Sequence, residues 1–476
     1  MQAVTIDEAD SYLAFVQPSG ALQWYPAANN HVLNTLLIRL ITSVFGLSHV
    51  TLRVPALAGA VIYISAAYCL VKLISPDLKL QWPLFVCLVF NPFVFDYLVA
   101  ARGYALALGF LACAIAIPLY QQLDQERTGI RPLFLGCALS SLCLGFSFSA
   151  NFSFGFVDAA TLLVICGWTW RHSGPAYRGR TFAQLLLACV FPGALVTLLL
   201  SAPGIMGLHA TDLTYGARSL NETLHSVTGA SLYELNPNIV NPLLYGALAN
   251  ARKFLLPLLG VAMVGEFVLA VVNRRTLPEH SRQKAAFGIA LACIITLTLA
   301  AHWLSFELCQ LLLPKDRTAL YFVPLVVLIA GVLASISAPS RGGRIGRIAL
   351  MGVLYGLGSY HLLCLRLNYF KEWRFDADVQ KVYSVLAYYN HTFGVRDIAS
   401  SWRYVPSLNF YRKLSGSETI AEFQSADSPP LDRLVYVLYE PDSQSFMEEQ
   451  KLKVVYRGDL SAVVVAIRPE AETRPR

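Results

Sequence analysis

The sequence predicts a mainly α-helical, polytopic membrane protein of about ten spans, followed by a small extracytoplasmic α/β domain at its C-terminus. Three observations lead there. Of the 476 residues, 55% are hydrophobic and only 14% charged, whereas a soluble domain carries about 25% charged residues; the mean hydropathy is +0.51. Ten windows reach the roughly 20 mostly apolar residues that a bilayer span requires. Basic residues then gather in alternate loops between those windows, as the positive-inside rule produces. A soluble globule, a disordered chain and a fibrous repeat are excluded. The net charge of +7 is read as topology, and no nucleic-acid partner is expected.

The chain opens with a polar, acidic segment, Met1 to Asp10, that lacks the apolar core of a signal peptide. Residues 1–51 read as an outer loop containing Val32–Leu47, an amphipathic helix lying on the membrane surface. Residues 52–369 form the transmembrane core. Its windows lie near 53–73, 80–96, 103–120, 132–150, 152–170, 182–201, 254–273, 284–304, 318–338 and 346–366. Arg127 and Arg131, then Arg171, Arg178 and Arg180, then Arg274, Arg275, Arg282 and Lys284, then Arg341, Arg344 and Arg347 fall on one side with Lys72 and Lys79. That side is expected to be the cytoplasm. An outer N-terminus then points either to a further membrane helix ahead of Met1, the favoured expectation, or to an N-terminus translocated unaided. In residues 370–476, Asp376–His391 and Ser443–Gln450 read as helices, Arg433–Tyr439 and Ala462–Ile467 as strands, and Pro429–Pro430 as a turn. The ten cysteines lie mostly within apolar stretches and none has CxxC spacing, so no metal or disulfide framework is legible; Cys309 and Cys364 are the one pair placed where a bond could form.

The candidate chemistry collects on the outer side. Thr5-Ile6-Asp7-Glu8-Ala9-Asp10 places three carboxylates within four residues, followed by Trp24, Tyr25, Asn29, Asn30 and His31. Such a cluster is compatible with a solvated turn, but also with activation of a hydroxyl, which needs a proton-accepting carboxylate near the attacking oxygen. Arg102, in Ala101-Arg102-Gly103-Tyr104, and Lys315 and Arg317, in Asp316-Arg317-Thr318-Ala319-Leu320-Tyr321 and the residue before it, sit at outer span mouths. Cations there serve either as snorkelling anchors or as anion binders. Glu266, Asp158, His302, Glu307 and His361 rank lower, and Tyr97, Tyr104, Trp303 and Tyr321 suit an interfacial aromatic belt. The Asn-x-Ser/Thr sequons at Asn151, Asn221 and Asn390 are weak matches.

The Asp7-Glu8 pair, the Asn29–His31 loop end, Leu52–Pro55 at the head of the first span, Ala101–Tyr104 and Asp316–Tyr321 occur in an order that resembles the GT-C superfamily of membrane glycosyltransferases. The nearest likeness is to bacterial members of the dolichyl-phosphate-mannose–protein mannosyltransferase and lipid A aminoarabinose transferase type. The resemblance implies an integral inner-membrane enzyme with its site on the periplasmic side, a polyprenyl-phosphate sugar donor, and inversion at the anomeric carbon. It implies Asp7 as catalytic base with Glu8 beside it. Arg102, Lys315 and Arg317 would partner the lipid phosphate, and His31, Asn30 and Tyr104 would contact substrate. The acceptor would be a lipid, glycan or protein. No cofactor is required, and a divalent metal is neither indicated nor demanded. A lipid or glycan transporter or flippase is the alternative from another class, although visible repeats and midplane polar residues, which transporters often show, are not evident. An inactive scaffold is the third.

Overall fold

A computed structural model of the chain describes residues 2–18, 27–123, 130–172, 179–208, 213–272, 277–336, 341–424 and 430–472. Trp24, Tyr25, Arg127, Arg178, Arg274, Arg275 and Pro429 lie outside the described residues. Contacts divide the chain into two units: one of Met1–Tyr25, Thr35–Val54 and Arg366–Arg476, the other of Pro26–Asn34 and Pro55–Leu365. The N-terminal segment and the C-terminal domain, far apart in sequence, therefore share a unit.

Along the chain run α1 (Ile6–Ser11), α2 (Val32–Phe45), α3 (His49–Ile74), α4 (Leu78–Val89), α5 (Pro92–Val99), α6 (Tyr104–Leu123), α7 (Ile130–Ala150), α8 (Gly155–His172), α9 (Arg180–Leu200) and the single turn α10 (Ala202–Ile205). Then follow α11 (Leu220–Ser231), α12 (Pro242–Val272), α13 (Glu279–Cys309), α14 (Phe322–Ser335) and α15 (Arg341–Leu363). The stretch expected as an amphipathic helix is α2. Eight helices among the described residues are long and apolar enough to cross a membrane, or nine if one bent pair counts as a span. The fold is that of a polytopic helical membrane protein.

Two of the ten expected spans need correction. The window at 80–96 is not one helix but α4 and α5, meeting at 59°. The Asn91 side-chain oxygen accepts from the N–H groups of Phe93 (3.0 Å) and Val94 (3.4 Å), and Pro92 occupies the first position of α5. A capping amide followed by a residue with no N–H starts a new helix and ends the old ladder. The last window forms α15, which does not reach the apolarity of the other eight because three arginines and six glycines dilute it. Cys309 and Cys364 are both free, the first exposed and the second buried with its thiol on the Tyr233 carbonyl at 3.3 Å.

In the other unit, α16 (Val379–Phe393), α17 (Val405–Leu414) and α18 (Glu440–Glu449) accompany four strands, β1 (Ile398–Ser400), β2 (Val435–Tyr439), β3 (Lys453–Arg457) and β4 (Val463–Ile467). The sheet order is β1-β2-β4-β3, with β1 parallel to β2 and the remaining pairs antiparallel. The strands legible in the sequence, β2 and β4, are the buried central pair. The short edge strand β1 and the edge strand β3, whose Val454-Val455-Tyr456 is bracketed by Lys453 and Arg457, were not expected; charge on an edge guards against further pairing. Tyr436, Leu438 and Val464 pack with Ala399, Phe446 and Met447 into the core on one side of the sheet.

Candidate functional site

Two arrangements carry the candidate residues, one in each unit. In the unit containing the C-terminal domain, Thr5 caps α1: its hydroxyl accepts from the Glu8 N–H at 3.2 Å, and the Glu8 carboxylate accepts from the Thr5 N–H at 2.9 Å, a reciprocal capping box. Arg53, in the first turns of α3, donates to both Glu8 oxygens at 2.8 Å and to the carbonyls of Gln2 (3.1 Å) and Ala3 (2.9 Å). Its guanidinium lies 5.2 Å over the Phe370 ring. Glu8 is 0% exposed.

That geometry places Glu8, the neighbour of Asp7 in the motif, in a supporting position. Both of its oxygens are occupied by Arg53 and the Thr5 backbone, so it orders the segment and has no face for a substrate. Asp7, one residue earlier, is half-buried in the first turn of α1, where a carboxylate is favoured by the helix dipole. From the C-terminal domain, buried Asp376 accepts from the Ile6 N–H at 2.7 Å and from the Ser407 hydroxyl at 3.2 Å, and the Tyr411 hydroxyl accepts from the Val4 N–H at 3.0 Å. Burial pushes the Asp376 carboxyl well above the usual range; its two hydrogen bonds oppose the rise, and the charges of Asp7 and Glu8 add to it.

In the helical unit, the segments 28–31, 102–104, 148–156 and 311–318 enclose a cavity of about 330 Å³. Its polar wall includes His31, Arg102, Asn151, Ser153 and Arg317; its apolar wall includes Phe148, Phe152, Phe156, Leu208, Leu213 and Leu312. Each polar residue is held from behind. Asn34 donates to the Ala101 carbonyl at 3.3 Å, fixing the turn before Arg102. Gly103 lies so close to the Ala150 carbonyl and to the Cβ of His31 that no side chain fits there. An isolated bridge, with Ala217 and Leu313 exchanging hydrogen bonds at 2.7 and 2.9 Å, ties the 213–217 segment to the 311–314 segment. Arg317 lies 5.1 Å from the Tyr215 ring centroid, and the Tyr215 hydroxyl donates to Asp316 at 2.8 Å.

His31 is 5% exposed, packs edge-on against Tyr104 with ring centroids 5.4 Å apart, and has neither ring nitrogen hydrogen-bonded. Burial pushes its pKa well below the usual value, and the charges of Arg102 and then Arg317 push it the same way. The imidazole is therefore neutral near pH 7, able to donate one hydrogen bond and accept another. Asn151 is 1% exposed; its oxygen accepts from the Ser153 N–H (3.0 Å) and hydroxyl (2.8 Å), which leaves its amide nitrogen without a partner at the cavity wall. The His302 ring, also lining the cavity, is bonded to the Tyr321 hydroxyl at 2.8 Å.

Of the residues singled out from sequence, the cavity gathers His31, Arg102, Tyr104 and Arg317. Lys315 does not line it: its ammonium pairs with Glu222 at 2.6 Å, which raises the lysine pKa and lowers that of the glutamate. Between the two cations Asp316 adopts a left-handed backbone (φ 45°), a conformation that aspartate tolerates better than most residues, and the two side chains find different surroundings. Asn30 is buried and does not line the cavity either, although its neighbours Asn29 and His31 do. Tyr97, Tyr104 and Tyr321, expected at the interface, are buried inside the unit, whereas Trp303 is exposed. Asn151, Ser153 and the phenylalanines were missed as site residues. Their signal was Phe146, Phe148, Phe152, Phe154 and Phe156 interleaved with Ser and Asn, hidden because the stretch reads as the junction of two spans. Among the described residues no group of three or more His, Cys, Asp or Glu is placed to hold a metal ion.

The stability contribution of His31 has a defined sign. The unfolded imidazole takes up a proton near pH 6.5 while the folded one does not, so acidification below that value favours the unfolded state. Melting temperature is expected to fall more steeply below pH 6.5 for the wild type than for His31→Gln; equal slopes would show that the imidazole does not stay neutral.

Fold and site together define a polytopic membrane protein with an amphipathic, cation-lined cavity and a C-terminal α/β domain. No protein-family model and no curated protein matches the chain. Among solved structures it is similar to ArnT from Cupriavidus metallidurans in the apo state (TM-score 0.38, 12% identity, covering 100% of this chain and 96% of that one). The same protein bound to undecaprenyl phosphate matches with TM-score 0.38, 11% identity and the same coverage. The oligosaccharyltransferase of Archaeoglobus fulgidus in the apo form matches at TM-score 0.39 and 13% identity over 86% of this chain and 60% of that one. At these scores the likenesses carry no residue-by-residue correspondence.

Proposed function

We propose that this chain is a membrane glycosyltransferase that moves one sugar from a polyprenyl-phosphate carrier to an acceptor hydroxyl, amine or phosphate on the outer face of a bacterial inner membrane. Where the acceptor is a hydroxyl, Asp7 takes the proton from its oxygen. That oxygen attacks the anomeric carbon opposite the phosphate, the carbon–oxygen bond to the phosphate breaks, and its electron pair leaves on the polyprenyl phosphate, inverting the centre. Arg102 and Arg317 stabilise the departing charge, as fixed cations do for a developing anion; His31 and the Asn151 amide supply neutral hydrogen bonds. The donor carries its own leaving group, so the proposed reaction draws on no cofactor. The acceptor is a lipid, glycan or protein.

The observation that supports this reading is the cavity itself. Two guanidiniums suit a phosphate, and a wall of phenylalanine and leucine suits the apolar chain attached to it. Charge-assisted hydrogen bonds contribute about 1.5–3 kcal/mol each, so Arg102→Ala and Arg317→Ala are each expected to weaken binding of polyprenyl phosphate by roughly 10- to 150-fold, measured by titration of the purified protein. Unchanged affinity in both would remove the phosphate role. Movement of the carrier across sealed vesicles with no new glycosidic bond would favour a transporter instead.

A further inference from the structure

At the far end of α6 and α7 from the His31 cavity lies a second and larger hollow, of about 840 Å³, between the C-terminal turns of α3, the C-terminal half of α6 and the N-terminal half of α7. Gln121 near the end of α6 follows Tyr104 at its start by 17 residues, which separates the two sites by about 26 Å along the helix. One phosphate cannot serve both. The walls are apolar, with Leu73, Ile117, Leu135 and Leu139 among them, and Leu135 and Leu139 are open on their outer side. At one end stand Lys72 and Arg131. The Lys72 ammonium lies 4.8 Å over the Tyr68 ring, and the Gln121 amide donates to the Pro132 carbonyl at 2.5 Å, joining α6 to the start of α7. No acidic side chain is among the described residues that line the hollow.

We propose that this groove binds an anionic phospholipid, its headgroup phosphate on Lys72 and Arg131 and an acyl chain along the apolar wall. Charge and shape agree on that occupant. Two cations, with no acid among the described residues that line the hollow, attract an anion, the trough behind them is apolar and open to the bilayer, and its volume lies in the range of ligand pockets. These residues also belong to the side that the arginine pattern assigns to the cytoplasm, where basic pockets between membrane helices hold anionic headgroups.

The test uses the full-length protein in detergent, titrated with dioleoyl-phosphatidylglycerol or dioleoyl-phosphatidylcholine and read by native mass spectrometry and by melting temperature. Phosphatidylglycerol is expected to bind more tightly and to raise the melting temperature more. With about 1 kcal/mol for each cation near an anionic lipid surface, Lys72→Ala with Arg131→Ala is expected to weaken phosphatidylglycerol binding by roughly 30-fold. Its melting temperature in phosphatidylcholine should match the wild type, which shows that the fold is intact. Leu135→Trp, which fills the trough and leaves both charges, is expected to lower occupancy as well. Equal binding of the two lipids, a preference that survives the double variant, or the same stabilisation by inorganic phosphate would each overturn the proposal. None of these results depends on sugar transfer.

Discussion

Asp7→Asn is expected to lower kcat for sugar transfer from a polyprenyl-phosphate donor by about 10²- to 10⁴-fold, the usual contribution of a general base, while the protein remains folded. Asparagine keeps the shape of the side chain and cannot take a proton. The structural cost is small, because a half-buried carboxylate in a first helical turn contributes about 0.3–1 kcal/mol through the dipole. Transfer kinetics and melting temperature measured on the same preparation separate the two effects. Full transfer by the variant would show that Asp7 is not the base. A loss of activity that follows a loss of folded protein would assign it a structural part only.

Arg53→Ala is expected to do the opposite, reducing stability by about 3–5 kcal/mol, the cost of leaving one partner of a buried ion pair unpaired. Against a typical total of about 5–15 kcal/mol that is a large share. The guanidinium holds both oxygens of Glu8 and two carbonyls of the N-terminal segment, so its removal strands a fully buried carboxylate. Thermal unfolding and hydrogen exchange of residues 2–16 measure the effect. Glu8→Leu combined with Arg53→Met is expected to recover much of the loss, because well-packed apolar groups replace a buried pair at little cost. If Arg53→Ala melts like the wild type, the latch contributes nothing to stability.

The C-terminal domain adds to that latch in a way the sequence does not announce. Asp376 reads there as the start of an amphipathic helix; in the folded unit it accepts from the Ile6 backbone 370 residues away. Long-range pairings of this kind leave no periodicity. Arg53 likewise reads as the basic residue of a span opening, and only the folded chain shows that Glu8 is its partner.

Legibility followed the strength of the local signal. Long apolar helices and the two central strands were readable because burial along a helix or on both faces of a strand demands an unbroken apolar run, and α2 because its apolar residues recur at helical spacing. The break between α4 and α5 was written in Asn91-Pro92 but masked by apolar residues on either side. Among the cavity residues, cations at span mouths stood out because charge is costly there; Asn151 and Ser153 did not, because small polar residues are common where helices pack.

Composition and patterning alone settled that this chain crosses a membrane many times and ends in a small α/β domain, since hydrophobicity and period are local properties. Which cation faces the cavity and which binds a neighbouring glutamate, which half of the Asp-Glu pair is sealed by an arginine, and which aromatics turn inward were decided by the tertiary structure. Those outcomes depend on what residues distant in the chain bring to the same place, and a one-dimensional pattern cannot hold that information.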